Sequence, residues 1–599
     1  MKIKWLSLIR VIGLVFVLLY HFFIKNFPGG FVGVDLFFTL SGYLTTALLI
    51  DEFSKNNKID IFGFFKRRFY RILPPLVLTI LLVLPLTLLI RNDFRANIGS
   101  QVAAALGFMT NFFEIFAGGS YENQFAPHLF VHTWTLAIEV QYYILWAGFI
   151  WFMAKISNSV GQLRGTIFLT SSSLFILSFL AMFVSSFFTD NFSSIYYSSF
   201  THTYPFFLGG ILATIAGVNN TTIQFHQLVE KLSLIKLLAI FAGGLAIELI
   251  LLFTLQFSSI WTYLVGLLLS SLATAAMIFS ARILHEKTEG AKEPQIILFL
   301  ANISYGIYLF HWPLVIIFTQ LTNGTIAAIL SFIFSTILAT ISFYIFEPFV
   351  AGKVGQLFGL PIDLKPYKKW IQISFSTLAL IGLGICLFAP KLGSFEHENM
   401  ISSIYQAQTQ MNTTRSAAEN VKATGFEIQK GITIFGDSVT VRASSALKSS
   451  LPDAQIDGTV SRNLTEISKL ITLYKQNNTL KETVVVALGT NTADNYQELL
   501  EQLVNEFPKG HRLIFVTPYD GNFTPSNSIA YQTGKYEREL AEKHDYISIA
   551  DWYQVAKDNP VIWFNTDLVH FNLETNGAEL FAETIKNAID STANGPIKN

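Results

Sequence analysis

Twelve apolar runs, most of them near 20 residues long, fill the chain up to about residue 390, and none follows. A helix needs roughly 20 apolar residues to cross a hydrocarbon core, so repetition at that length confines the first part of the chain to a bundle of membrane-spanning helices. The runs lie at 5–24, 31–50, 72–90, 99–117, 135–155, 166–187, 203–217, 236–255, 259–281, 297–319, 325–347 and 371–389. Whole-chain averages of 51% hydrophobic and 14% charged residues, with 56 Phe in 599, mix this part with a polar segment rich in Asn, Thr and Glu. That segment is long enough for one soluble core of its own. A formal net charge of zero gives no electrostatic footprint for nucleic acid. The single Cys386 excludes an intrachain disulfide framework and a cysteine-cluster metal site, and no metal is expected. The opening MKIKWLSLIR resembles a signal peptide, but no small-residue cleavage site follows, so it reads as a retained first span.

The parity of the span count decides which side the soluble segment faces, and the distribution of Lys and Arg arbitrates. Lys2 and Lys4 place the N-terminus in the cytoplasm, and the loop with Lys55, Lys58, Lys66, Arg67, Arg68 and Arg71 returns there after two spans. The run at 99–117 carries Gln101, Asn111 and Glu114; if it does not cross, Lys155, Arg164, Lys231, Arg282, Lys287, Lys292, Lys353, Lys365, Lys368 and Lys369 all fall inside. Counting it as a span inverts every later loop. The expectation is therefore eleven spans, with a re-entrant or partly inserted segment at 99–117 buried against protein. The multi-pass chain then sits in the cell membrane with its N-terminus cytoplasmic and its C-terminal domain extracellular.

After a polar linker at 391–430, strand-like runs appear at 431–435, 454–458, 482–488, 512–517 and 546–549, separated by helix-length segments such as 438–450, 494–506 and 529–543. This alternation predicts an α/β domain with a parallel sheet of about five strands and helices on both faces. Chemistry in such sheets collects at the carboxyl ends of the strands. There, in ITIFGDSVT, Ser438 is placed on a turn with a helix starting behind it, whose backbone N–H groups can stabilise an oxyanion. A serine hydroxyl needs a base oriented by a third group. NTDLVHFN, before a final helix at about 574–590, supplies Asp567 and His570 in a Ser, Asp, His chain order. A chance Gly-Asp-Ser falls in roughly one chain of this length in six, and such a turn also serves as an ordinary helix N-cap. Position is what raises both motifs, together with ALGTN, which puts Gly489 and Asn491 at the end of the central strand.

GDS at the first strand, GTN at a middle one and DxxH near the end resemble the SGNH hydrolase family over about residues 431–590. The resemblance implies that Ser438, Asp567 and His570 act as a triad and that Gly489 and Asn491 add oxyanion donors. The family's second block carries a glycine; DGTVSRN has Val460 and Ser461 there, each still offering a backbone N–H.

Polar residues also interrupt the membrane part. Arg10 and His21 sit in the first span, and a charge within a span is a functional candidate by default, unless Arg10 snorkels to the inner surface and His21 to the outer one. RRFYR, with Arg67, Arg68 and Arg71, is either a topogenic cluster or a phosphate clamp. Asp35, His132, Trp134, Glu139, His311 and Glu347 lie at span ends, and so many in one bundle point to a shared polar cavity.

R-x10-H, GVDLFFTLSGYL, RRxxR, HTWTLAIEVQ, ISYGIYLFHWP and FEP together resemble the acyltransferase-3 family over about residues 5–350. The resemblance implies acyl transfer from a cytoplasmic acyl-CoA, with Arg10 and His21 important for activity and Arg67, Arg68 and Arg71 meeting the CoA phosphates. Where the family has two adjacent acids, Val140 follows Glu139. Such a domain over 1–350, a cytoplasmic loop and further span over 351–390, the linker and an outer domain over 431–599 are similar to the peptidoglycan O-acetyltransferases of Gram-positive bacteria. The implied donor is acetyl-CoA, the acceptor the C6 hydroxyl of N-acetylmuramic acid in glycan strands, and the outcome lysozyme resistance. An O-acetyltransferase for a teichoic acid or exopolysaccharide, and a transporter or sensor with a non-catalytic outer domain, are the alternatives.

Overall fold

The computed structural model describes residues 3–117, 127–189, 191–218, 221–288, 290–391, 428–460, 462–491, 495–523, 528–564, 566, 568–573 and 575–599. The chain divides into two compact units, Met1–Gly393 and Ser394–Asn599.

The first unit is helical. Among the described residues nine helices are long and apolar enough to cross a membrane: Gly30–Asn56, Ile61–Leu89, Val131–Ile156, Val160–Ser185, Leu234–Thr254, Thr262–Lys287, Gln295–Leu321, Gly324–Val350 and Lys365–Phe388. Two shorter apolar helices, Leu6–Phe22 and Tyr204–Ala216, lie where two further spans are expected. Burial separates them by role: 78% of the apolar window is buried in Gly30–Asn56 and 6% in Lys365–Phe388, so the former is the centre of the bundle and the latter its periphery. The centre is close-packed because glycines permit it. A Cβ on Gly42 would lie 1.8 Å from the Phe206 carbonyl oxygen, and one on Gly209 2.0 Å from that of Thr39.

The run at 99–117 forms two short helices, Ile98–Leu106 and Thr110–Ala117, with Phe108 between them at φ 53. Its polar residues explain why it does not continue as one helix. Asn111 donates to Ser199 Oγ at 2.9 Å, Gln141 donates to Asn111 Oδ1 at 3.0 Å, and Glu114 meets His128 Nδ1 at 2.9 Å, all drawn into protein. The arginines of RRFYR were expected in a loop. They lie instead inside the helix Ile61–Leu86, which Asp60 caps by accepting from the Gly63 N–H at 3.0 Å. That cap starts the helix well before the apolar run, and Phe64, Phe65 and Tyr70 let the charged turn continue it.

The second unit is a five-stranded, wholly parallel sheet. We label its strands β1 (Gln429–Gly436), β2 (Gln455–Gly458), β3 (Lys481–Ala487), β4 (Arg512–Val516) and β5 (Ile547–Ala550); their spatial order is β2-β1-β3-β4-β5. Alternation along each strand feeds two cores, as a sheet covered on both faces requires. Ile434, Val485 and Ile514 pack on one side with Trp552, Phe571 and Phe581. Phe435, Val484, Val486 and Phe515 pack on the other with Leu500, Leu503 and Leu540. The expected helix at 438–450 is two pieces, Ser438–Arg442 and Ser444–Ser450, broken at Ala443. The expected helices at 494–506 and 529–543 are found as Tyr496–Glu506 and Ile529–Lys543, and the last helix runs Gly577–Thr592.

Candidate active site

In the membrane unit a cavity of about 150 Å³ is lined by Arg10, Ser41, Arg68, Arg71, Glu139 and Tyr143, with Ser304, Tyr305 and Tyr308 on the far wall. Glu139 accepts hydrogen bonds from the hydroxyls of Ser41 and Tyr143, which also contact each other at 2.7 Å. The Arg68 guanidinium lies over the Tyr143 ring at 4.7 Å and donates to Thr45 at 3.4 Å. Tyr305 ties the wall to the turn of Arg71 by donating to the Ile72 carbonyl at 3.0 Å. Arg67 points away, largely exposed, with Glu52 at 3.5 Å. RRxxR therefore splits: two guanidinium groups face the cavity and one does not.

The single shared cavity expected from the sequence does not form, because the polar residues sort into separate clusters. Beside the cavity, His21, His132 and His311 pack together, with His21 Nδ1 2.8 Å from His311 Nε2 and the rings of His132 and His311 5.9 Å apart. Tyr308 joins the two groups. Its hydroxyl faces Thr135 at 2.6 Å and donates to the His132 carbonyl at 2.5 Å, and its carbonyl accepts from His311 Nδ1. Asp35 lies elsewhere, fully buried against His202 Nε2 at 3.4 Å and Ser271 Oγ at 3.3 Å, with Trp134 stacked on His202. Glu347 accepts from Ser342 at 3.4 Å in its own helix. His202 escaped sequence reasoning, since nothing local marks a histidine 167 residues from its carboxylate.

In the second unit the GDS turn ends β1, which lies beside the central strand β3 of the parallel sheet. Ser438 opens the helix behind it, and its Oγ lies 2.7 Å from His570 Nε2. Asp437 is the helix cap, accepting from the Val439 N–H at 3.0 Å and from the Thr490 hydroxyl. Burial pushes its carboxyl above the usual range, opposed chiefly by the Thr490 hydroxyl and then by the Val439 N–H. Gly489 sits at φ +117, and a Cβ there would lie 2.8 Å from Pro518 Cγ. Asn491 Nδ2 donates to the Arg462 carbonyl at 3.0 Å, leaving its second N–H for an oxyanion. Val460 is partly exposed on the same loop. Asp567 and Ser461 lie outside the described residues.

Arg462 was not anticipated. Its buried guanidinium donates to the carbonyls of Gly436 at 3.2 Å and Asp457 at 2.5 Å, to Asp457 Oδ1 at 2.8 Å and to Thr459 Oγ1 at 2.8 Å. It pins the Val460 loop across the ends of β1 and β2, where glycine would otherwise let the backbone turn. Among the described residues no group of three metal-ligating side chains converges.

A serine hydroxyl against an imidazole is the apparatus of acyl transfer. Placed on a chain whose other unit is a bundle of apolar helices, it defines the class: an acyl-transferring enzyme of the membrane. The acyltransferase domain family matches residues 3–347. The chain belongs to that family. Over nearly its whole length it is also similar to O-acetyltransferase OatA of Staphylococcus aureus (strain MRSA252), 28% identical across 98% of this chain and 96% of the relative. The Bacillus subtilis (strain 168) protein YrhL, provisionally named a peptidoglycan O-acetyltransferase, is 25% identical across 97% of this chain and 98% of its own. Among solved structures, the C-terminal catalytic domain of Streptococcus pneumoniae peptidoglycan O-acetyltransferase A (OatA), with a methylsulfonyl adduct, is 43% identical over 29% of this chain and 99% of that one, with a TM-score of 0.28.

Proposed function

We propose that the protein is a peptidoglycan O-acetyltransferase, carrying acetyl from cytoplasmic acetyl-CoA to the C6 hydroxyl of N-acetylmuramic acid and so protecting the wall against lysozyme. The observation that carries the reading is the 2.7 Å contact between Ser438 Oγ and His570 Nε2. The membrane unit has eleven spans, the nine long helices and the two shorter ones, with the segment at 99–117 re-entrant. The N-terminus is then cytoplasmic and the outer unit, an SGNH-type fold, extracellular. The working parts are an acyltransferase domain over 1–350, a cytoplasmic loop and extra span over 351–390, a linker over 391–430 and the catalytic domain over 431–599.

Arg68 and Arg71 offer guanidinium forks to the CoA phosphates, with Arg67 contributing only charge near the mouth. Arg10 faces the thioester oxygen beside Glu139; the acetyl C–S bond breaks as the group passes to His21 on the outward side, and CoA leaves as its thiolate to the cytoplasm. In the outer unit Ser438 Oγ attacks the acetyl carbonyl carbon while His570 Nε2 takes its proton and returns it to the leaving group. Backbone N–H groups of Ser438 and the Val460–Ser461 loop, with Gly489 and Asn491, hold the oxyanion, and Asp567 orients the imidazole. The sugar hydroxyl, deprotonated by the same nitrogen, then displaces Ser438 from its ester.

The test is ester-linked acetate on purified wall from cells making the wild-type or Ser438→Ala protein. Loss of muramic acid acetylation supports the reading. Unchanged muramic acid acetylation overturns it.

A further inference from the structure

His311 is fully buried in the helix Gln295–Leu321, and its Nδ1 lies 2.7 Å from the Tyr308 carbonyl and 3.2 Å from that of Ile307. Carbonyls only accept, so Nδ1 carries the hydrogen and Nε2 the lone pair. His21 Nδ1 stands 2.8 Å from that lone pair and must therefore be an N–H. It follows that the lone pair of neutral His21 is on Nε2. The geometry points to His311 as the positioning residue that fixes the tautomer and aim of His21, the part a carboxylate plays beside a catalytic histidine. The inference rests on the reading of His21 as the group that works in the membrane step.

The surroundings are built for that task. The two rings lie 17° from parallel, and Trp312 packs on His21 with centroids 4.5 Å apart, so the imidazole has little freedom to turn. Pro313 accounts for the neighbouring histidine. Proline has no N–H to offer the carbonyl four residues back, which is that of Leu309, and His132 Nε2 donates to that carbonyl at 3.0 Å. His132 thus holds the opposite tautomer, and its Nδ1 is buried with no hydrogen-bond partner among the described residues. One turn of backbone, residues 307–309, sets the tautomers of two histidines directly and of the third through His311. The HWP sequence reads as a device: His311 to orient, Trp312 to clamp, Pro313 to release a carbonyl.

The test uses the full chain in membrane vesicles supplied with labelled acetyl-CoA. His311→Leu removes the acceptor, and turnover should fall on the order of 100-fold, the scale of a misaligned acid–base group. Its KM for acetyl-CoA should change by less than about threefold, because binding is not what is lost. His311→Gln presents a carboxamide oxygen to the same N–H and should restore most of the activity, which also guards against a Leu variant that merely misfolds. Combining His311→Leu with His21→Ala should cost nothing beyond His21→Ala alone. A His311→Gln protein as inactive as His311→Leu, or a double variant clearly worse than His21→Ala, overturns the inference while leaving the role of His21 intact. Full activity in His21→Ala removes the reading beneath it instead.

Discussion

Thr490 donates its hydroxyl to the buried carboxylate of Asp437, joining the turn after the central strand to the residue just before the candidate nucleophile. The contact holds the ends of β1 and β3 in register where Ser438 must be presented, and it places a titratable group inside the core.

That group makes the second unit's stability depend on pH. Burial raises the Asp437 carboxyl, against hydrogen bonds from Thr490 and Val439 and the nearby His570. With the folded pKa above the unfolded one, the folded state binds the proton more tightly. Stability is therefore highest below the unfolded carboxylate range and declines as pH rises to the folded value, leaving a fixed penalty at neutrality. Asp437→Asn keeps the shape and removes the charge, so the unit's Tm at pH 7 should rise and its decline as pH climbs above the unfolded carboxylate range should flatten. Thr490→Val should act in the other direction, costing about 1–3 kcal/mol at pH 7 by leaving a buried carboxylate short of a donor. Calorimetry on the second unit, whose two cores are made entirely from its own residues, reads both.

Arg462 should matter to chemistry through the loop it holds. Truncation to Met takes the cation from the buried Asp457 carboxylate, which keeps only the Tyr474 hydroxyl at 2.7 Å, and one donor from each of two carbonyls; breaking a buried pair of this kind costs about 3–5 kcal/mol. Because Asn491 is anchored on the Arg462 carbonyl, the variant should also lose turnover on a small aryl acetate with little change in KM. Asn491→Asp removes both N–H donors of that nitrogen, the anchor on the Arg462 carbonyl and the oxyanion contact together, and kcat should fall by about 10²–10³. An Asn491→Asp protein with wild-type kcat would show that the oxyanion site is made elsewhere.

Which parts of this were legible beforehand follows from the range of the forces involved. Spans and strands are written as local apolar runs, and the five strands and the interrupted segment at 99–117 lie where periodicity and buried polarity place them. Ser438 and His570 were readable because each sits on a turn whose position in an α/β chain is itself informative. Arg462 and His202 were not. An arginine in a polar loop and a histidine after a tyrosine pair look ordinary until long-range packing seals them, Arg462 against two strand ends and His202 against Asp35. The expectation of one polar cavity failed for a related reason: residues at the same depth on different helices meet only where helix rotation aims them together, and a list of span-end charges contains no rotation.

The arginines of the cavity give a sharper forecast than their shared motif. Arg68 and Arg71 line it, whereas Arg67 is 62% exposed beside Glu52. Exposed pairs of that kind contribute about 0–1 kcal/mol. In vesicle assays Arg68→Ala and Arg71→Ala should each raise the KM for acetyl-CoA by about tenfold or more, the loss of one charge-assisted phosphate contact. Arg67→Ala should shift it by less than about threefold. Equal effects at all three positions would mean that the cluster acts as a diffuse field rather than as a clamp.

The span count can be tested at two loop positions. Cys386 is the chain's one cysteine, and Cys386→Ser supplies a background without thiols. Asn158 lies between the helices Trp134–Ile156 and Val160–Ser185, and Asn323 caps the helix Gly324–Ile341 by accepting from the Ile326 N–H at 3.0 Å. With eleven spans and 99–117 re-entrant, Lys231 is cytoplasmic and three crossings, Leu234–Thr254, Thr262–Lys287 and Gln295–Leu321, separate it from Asn323, so Asn158→Cys faces inward and Asn323→Cys outward. An impermeant maleimide added to intact protoplasts should label Asn323→Cys and spare Asn158→Cys until the membrane is opened. Outside labelling at Asn158 would make 99–117 a true span and turn every later loop over, carrying Lys353, Lys365, Lys368 and Lys369 to the outer face against the bias that orients polytopic proteins.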